Sequence, residues 1–363
     1  MPQTKKKLLI INSTLEKSGL TNVFFNLCSN INTEIFDVYI LTLSPEPPNS
    51  KKTEFEQLPI KIHSLNLNRI DFIIKGKKQL IDYVNSIAPD IIQTFSFRGT
   101  YLADKYLNKY NLVATVQGDL MKNHTDVYGN IVGKYIAEKE LAAFGKANEK
   151  VVCSKALFEI YKNKFTDLKV IKNGADENIF YPVIESLKLE IRKKLGLNPD
   201  LLTFLSVGTL SERKDPITLI KAFKNSNKHS KAQLVFLGDG VLKDACIQEA
   251  KGFNIIFLGN KDDVANYYKA ADAFISASSS EGLPNTVLEA GMCGLFCMLS
   301  NIPQHTEIFK NHPWQSFYFD CSNITQLTTL FNQFTPREFE SIIDLSALKM
   351  TKQYEQVYLN IVE

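Results

Sequence analysis

Residues 280–294 read Ser-Glu-Gly-Leu-Pro-Asn-Thr-Val-Leu-Glu-Ala-Gly-Met-Cys-Gly. Two carboxylates, Glu281 and Glu289, stand eight positions apart across what reads as a strand-to-helix turn. The run before them, Asp272-Ala-Phe-Ile-Ser-Ala-Ser, is apolar enough for a buried strand. Gly282, Pro284 and Asn285 are turn formers, Thr286–Met292 reads as a helix, and Gly294 closes it. A further apolar strand, Phe296–Leu299, follows at once. The unit is βαβ, and its loop lies at the carboxyl end of a parallel strand, where open α/β sheets bind ligands. Glu281 sits in that loop, Glu289 about one turn into the helix, and a helix N-terminus offers unpaired N–H groups to an anion.

The same alternation runs through the chain in both directions. Strands are expected near residues 8–11, 38–43, 60–65, 90–94, 113–116, 150–153 and 169–171, with helices over 22–30 and 71–86. After the turn-rich segment Lys172-Asn-Gly-Ala-Asp and a helix over 184–195, a second set is expected near 202–207, 233–237, 254–257, 272–277 and 296–299. Strands alternating with helical patterns imply parallel sheets. The 363 residues are enough for two domains, each with its own core. The expected boundaries are 1–178 and 179–345, with a final helix near 346–363 packing back on the first domain.

No apolar run is long enough to span a bilayer. Lys5-Lys-Lys-Leu-Leu-Ile-Ile has the flavour of a signal peptide, but its apolar part ends at Asn12 and a first strand is expected instead. Six cysteines show no CxxC pair and no histidine at metal spacing, which suits reduced thiols in a cytoplasmic protein. A net charge of +3 is too small to point to nucleic acid. Residues 1–180 carry about +5 and the rest about −2. That asymmetry suits an anionic acceptor or an anionic membrane surface, and scattered solvated lysines would give the same count.

The pair of carboxylates resembles the Glu-x7-Glu signature of the family-4 glycosyltransferases, retaining enzymes of the GT-B fold. The flanks match too: Ser-Ser-x-Glu-Gly-Leu-Pro before, Leu-Glu-Ala-x-x-x-Gly after. The segment Val170-Ile-Lys-Asn-Gly-Ala-Asp with Phe180 and Pro182, and the last helix containing Tyr354 and Tyr358, are similar to the family's interdomain segment and C-terminal helix. The resemblance implies an α/β, GT-B architecture of two Rossmann-like doubly wound domains facing across a cleft. The C-terminal domain would bind a nucleotide sugar and the N-terminal domain an acceptor.

The resemblance also implies roles. Glu281 would face the hydroxyls of the transferred sugar and Glu289 the ribose, with Gly282, Leu283, Pro284, Asn285 and Thr286 forming the loop around the donor. Strand 202–207 ends at Gly208, and the following Thr209-Leu-Ser-Glu-Arg-Lys resembles a segment whose Arg and Lys grip the diphosphate. Lys214 aligns with the Lys; Thr209 stands where the Arg would be, and adjacent Arg213 is the candidate replacement. The backbone at Gly259 and Asn260 would meet the nucleobase. In the first domain Gly19 is what remains of a Gly-Gly loop near phosphate and acceptor. Gln117 replaces a histidine that faces the donor sugar, with Gly118 and Asp119 following. Asp119 either faces the acceptor hydroxyl or caps a helix. His305 and Glu307 match a segment whose role is mainly structural. No metal site and no cofactor beyond the donor are implied.

The expected activity is transfer of a hexose or N-acetylhexosamine from a nucleotide sugar, with UDP as the expected nucleotide, to a hydroxyl of a glycan or lipid-linked glycan. Bacterial surface polysaccharide assembly is the expected setting. A nucleotide-sugar epimerase or hydrolase of the same fold, or a non-catalytic nucleotide-sugar sensor, are the alternatives. Lys75, Lys77 and Lys78 beside Phe72, Ile73 and Ile74 suit peripheral contact at the inner face of a membrane, or else the solvated edge of a buried helix.

Overall fold

A computed structural model describes residues 4–68 and 71–363, without the side chains of Ile73 and Ile343. The chain divides into two compact units: residues 1–174 with 347–363, and residues 175–346. Each is built on one wholly parallel sheet. In the first unit the order is β3-β2-β1-β4-β5-β6-β7, with β1 Lys6–Asn12, β2 Phe36–Thr42, β3 Lys61–Ser64, β4 Ile91–Thr94, β5 Asn111–Val116, β6 Glu149–Val152 and β7 Leu168–Val170. The second sheet runs β10-β9-β8-β11-β12-β13: β8 Leu202–Val207, β9 Ala232–Leu237, β10 Ile255–Phe257, β11 Ala273–Ser276, β12 Phe296–Ser300 and β13 Ser316–Phe319. Both are doubly wound, so strand order reverses once in each sheet, between β1 and β4 and between β8 and β11.

The central strands are apolar on both faces because helices cover both faces. Leu8, Leu9, Ile10 and Ile11 of β1 are all fully buried, as are Phe274 and Ile275 of β11. In the first unit the C-terminal helix Ala347–Val362 is tied to the sheet by more than apolar contact. The Tyr358 hydroxyl donates to Gln93 Oε1 (2.9 Å), Gln93 Nε2 donates to Thr115 Oγ1 (3.1 Å), and that hydroxyl meets the Tyr354 hydroxyl (3.2 Å). In the second unit buried Arg192 lies 2.6 Å from Asp272, whose Oδ2 also accepts the N–H of Thr203 (2.8 Å). Asp272 therefore seals the amino end of β8 and β11, the end opposite the loops that matter below.

Three details differ from the sequence reading. Residues 72–76 form a π-helical turn before the α-helix Lys77–Ile87, rather than one helix from 71 to 86. Strand β13, four residues on the sheet edge, is too short and aromatic for an alternating pattern to betray it. The longest helical element, Leu120–Gly145, is broken at Gly129, where φ is 75°.

Candidate functional site

In the second unit the loops after β8 and β11 meet at the point where strand order reverses. Gly208 ends β8; a 3₁₀ turn, Glu212–Lys214, follows and is stopped by Asp215, whose φ of 46° is left-handed. Asp215 then caps helix Pro216–Asn225, accepting from the N–H of Thr218. This tight reversal presents Arg213 and Lys214 to the loop after β11. Arg213 donates to the Ser280 carbonyl (2.7 Å) and to Glu281 Oε2 (2.9 Å), and its own carbonyl accepts the N–H of Ser279 (2.9 Å). Lys214 Nζ lies 2.5 Å from Glu281 Oε1. Each carboxylate oxygen of Glu281 thus has its own cation.

The Glu281 side chain is 9% exposed, Lys214 18% and Arg213 38%. Burial alone would raise the carboxyl's pKa, but Lys214 and then Arg213 outweigh it and hold the group at about 2. Glu281 is therefore an anion at neutral pH and can only accept hydrogen bonds.

The neighbouring loops close over this site through backbone alone. Gly208 N–H donates to the Leu237 carbonyl (2.9 Å), Gly238 N–H to the Gly259 carbonyl (2.8 Å), and Leu210 N–H to the Asp239 carbonyl (3.0 Å). A Cβ on Gly238 would fall 2.1 Å from the Gly208 oxygen, with φ at 127°, so no other residue fits there. At Gly208 a Cβ would stand 3.4 Å from Lys214 Cε, in the small recess lined by Gly208, Thr209, Lys214, Phe236 and Ser276. Gly259 is thereby tied into the cluster, while Asn260 is exposed beside it.

Helix Asn285–Met292 starts after Pro284, with Leu283 and Pro284 buried. The Glu289 carboxylate is in hydrogen-bond reach of the fully buried Tyr268 hydroxyl, whose oxygen lies 3.1 Å from the Thr286 carbonyl. Burial first, and then the Glu289 charge, pushes the Tyr268 pKa well up. Gly282, Asn285 and Thr286 are half-buried along the intervening turn.

Beneath Glu281 lies a layer that the pattern of charges did not reveal. The Ser278 hydroxyl hydrogen-bonds to the Glu281 carboxylate. Ser300 Oγ donates to the Ser278 carbonyl (2.5 Å), and His305 Nδ1 lies 2.9 Å from the Ser300 carbonyl and 3.1 Å from its hydroxyl. A carbonyl only accepts, so neutral His305 carries its proton on Nδ1. Burial lowers the His305 pKa to about 4. In the unfolded chain the group titrates near 6.5. The unfolded state therefore binds the extra proton first, and stability should fall as pH drops from about 6.5 to 4. The full effect is about 3 kcal/mol. His305→Asn keeps an N–H donor without the titration, so its melting temperature should be flatter over this window; an unchanged acid slope would refute the assignment.

In the first unit Gln117, Gly118 and Asp119 follow β5. Asp119 Oδ1 accepts the N–H of Lys122 (3.2 Å), so Asp119 is the N-cap of helix Leu120–Gly145, the second of its two expected roles. Gln117 Oε1 accepts from Asn173 Nδ2 (2.9 Å), whereas Gln117 Nε2 is buried with no hydrogen-bond partner among the described residues. A buried donor of that kind is costly unless something accepts from it. Gly19 is on another loop, after β1, where it opens the helix Gly19–Asn30 behind the capping Ser18. Among the described residues no three His, Cys, Asp or Glu side chains converge as metal ligands, and no helix is long and apolar enough to cross a membrane.

Residues 188–341 match the family model described as Glycosyl transferases group 1. The chain is 32% identical over 184 residues to the Escherichia coli UDP-Gal:alpha-D-GlcNAc-diphosphoundecaprenol alpha-1,3-galactosyltransferase, covering 48% of this chain and 46% of that protein. It is 30% identical over 190 residues to the Streptococcus pneumoniae alpha-monoglucosyldiacylglycerol synthase, covering 48% and 42%. The aligned parts thus span about half the length of these relatives. The structure is similar to sucrose-phosphate synthase from Thermosynechococcus elongatus, with a TM-score of 0.78 at 17% identity over 98% of this chain and all of that one. Anabaena HepE in complex with UDP and glucose gives a TM-score of 0.78 at 15% identity over the same shares. The fold is that of the GT-B glycosyltransferases.

Proposed function

We propose that the chain is a retaining glycosyltransferase of family 4, moving a hexose or N-acetylhexosamine from a UDP-sugar to a hydroxyl of a glycan or lipid-linked glycan. The observation that carries this reading is Glu281 held between Lys214 and Arg213 at the switch point of the second sheet. An anion there accepts from sugar hydroxyls, and two cations beside it meet a diphosphate, as the two halves of a nucleotide sugar require. Neutralising the departing diphosphate stabilises charge that grows in the transition state. Arg213 supplies the cation that Thr209 lacks. Glu289 holds the ribose and Gly259 and Asn260 the base, while in the first unit the Gln117 amide holds the acceptor. One relative's name includes UDP-Gal, and with HepE in complex with UDP it supports uracil as the base.

A carboxylate with each oxygen ion-paired is a poor nucleophile, which supports front-face displacement over a covalent glycosyl-enzyme. In that step the bond from C1 to the diphosphate oxygen breaks and its electron pair leaves with the diphosphate. The acceptor oxygen bonds C1 on the same face, and its proton passes to the leaving phosphate. No cofactor is needed beyond the donor. Bacterial surface polysaccharide assembly is the proposed setting.

A panel of UDP-, GDP- and ADP-sugars, assayed for released nucleotide with and without a diphosphate-linked lipid glycan, tests this. Release from a UDP-sugar that rises when acceptor is added is the expected result. Release indifferent to acceptor would identify a hydrolase, and binding without release a sensor.

A further inference from the structure

The ion triad at Glu281 uses hydrogen-bond donors that a diphosphate also requires. Arg213 Nη1 carries two N–H bonds, and both have acceptors within the protein: the Ser280 carbonyl at 2.7 Å and Glu281 Oε2 at 2.9 Å. Lys214 Nζ holds the other carboxylate oxygen at 2.5 Å. The Glu281 side chain is only 9% exposed, so water and salt screen these contacts far less than they screen a surface pair. The carboxylate already engages the cations that an incoming anion has to use.

A nucleoside diphosphate brought to the same two cations meets a fixed negative charge beside them. Like charges a few ångströms apart in a poorly solvated place oppose each other, and one pair of cations cannot neutralise both anions in full. A nucleotide sugar differs from a nucleoside diphosphate in one respect that matters to Glu281. Its sugar hydroxyls are donors, and an ionised carboxylate has about four lone-pair sites to accept them. Glu281 can then exchange N–H donors for O–H donors without being left buried and unpaired, the costly outcome for such a group. Other contacts keep the exchange local. The hydroxyl of fully buried Ser278 stays on the carboxylate. Arg213 keeps its bond to the Ser280 carbonyl, and its own carbonyl keeps the N–H of Ser279 (2.9 Å), so the guanidinium holds its place when Glu281 releases it.

We propose that Glu281 is an internal competitor for the diphosphate, yielding Lys214 and Arg213 to an intact nucleotide sugar and reclaiming them once the sugar has left. The carboxylate thereby separates substrate from product. UDP left after transfer has no sugar hydroxyls to offer Glu281, and the return of the carboxylate to its cations drives the nucleotide out. Product release limits turnover in many enzymes, so this step bears on rate as well as on selection. The role rests on the proposed transferase activity of the same site.

Calorimetry of the whole chain with UDP, inorganic pyrophosphate, uridine and the UDP-sugar it turns over tests the proposal. Glu281→Gln should bind UDP and pyrophosphate at least tenfold tighter than the wild type, with uridine unchanged. Its affinity for the UDP-sugar should gain less, so that the ratio of UDP-sugar to UDP affinity falls at least fivefold. Glu281→Ala should move UDP in the same direction, which assigns the gain to the lost charge rather than to the amide of glutamine; either variant decides the matter if the other does not fold. UDP affinity that is unchanged or weaker in a folded neutral variant overturns the proposal, since Glu281 would then organise the cations for the diphosphate rather than compete with it. An equal gain for uridine overturns it too, because the effect would lie outside the diphosphate. Sugar transfer by the wild type alongside either of these results leaves the transferase reading standing. Failure of UDP, GDP, ADP and pyrophosphate to bind the wild type or the variants would remove that reading, and this role with it.

Discussion

Glu281→Gln should lower turnover at least tenfold and leave the fold intact. Glutamine matches the shape of glutamate, so packing against Ser278 survives. What disappears is the charge: Lys214 and Arg213 lose the anion that positions them, and sugar hydroxyls lose a charge-assisted acceptor. Hydrogen bonds to charged groups contribute about 1.5–3 kcal/mol, which corresponds to roughly tenfold to a hundredfold in rate. Glu289→Gln should also cost at least tenfold, through the ribose and through the Tyr268 hydroxyl beside it. Steady-state kinetics on purified variants checks both, and near-normal turnover in the pair would remove the basis of the functional reading. A double variant with Lys214→Ala should be less impaired than the product of the single losses, because residues in direct contact are not additive.

Lys214→Ala should weaken UDP binding by an order of magnitude or more and leave uridine binding nearly unchanged. The ammonium is the more buried of the two cations at Glu281, so less solvent competes with its pairing to a diphosphate. Arg213→Ala should show the same selectivity, smaller because the guanidinium is 38% exposed and more screened. Calorimetry showing equal losses for UDP and uridine would end the diphosphate assignment. Acid stability gives an independent readout. The folded-state pKa of Glu281 is depressed to about 2, so the stabilisation is present above its unfolded value near 4.5 and is lost as pH falls toward 2. Without Lys214 the folded-state pKa moves back toward the unfolded value, so the variant should lose less stability across this window than the wild type.

Much of the second unit could be read from its residues because parallel strands buried on both faces write themselves as short apolar runs. The turns after them carry glycine and proline for backbone reasons that do not depend on distant contacts. The βαβ unit around Glu281 and Glu289 was therefore visible, and so was the closeness of Gly208 and Lys214 along the chain. The helical element Leu120–Gly145, broken at Gly129, was not. Its mean pattern is only weakly amphipathic, and the residues around Gly129, Thr125-Asp-Val-Tyr before it and Asn-Ile-Val-Gly133 after it, are weak helix formers, so neither arm announced itself as a helix. The serine and histidine layer was legible only at His305, because its link to Glu281 runs through Ser300 and Ser278, two serines with no distinguishing neighbours in sequence.

The two α/β halves, the strand-end loops as the place for a ligand, and the residues available there were all legible in the linear order of residues. Periodicity and turn chemistry are local, and the rules of parallel sheets extend them to topology. Which of those residues meet depends on the folded topology. Strand order puts the end of β8 beside the end of β11, and so brings Lys214 to Glu281, 67 residues later in the chain. That pairing turns two cations and a carboxylate into one part-buried ion triad, shifts the acid to about 2, and leaves it fit to accept hydrogen bonds but not to donate a proton. Such coupling depends on distance and burial, which a linear order of residues does not contain.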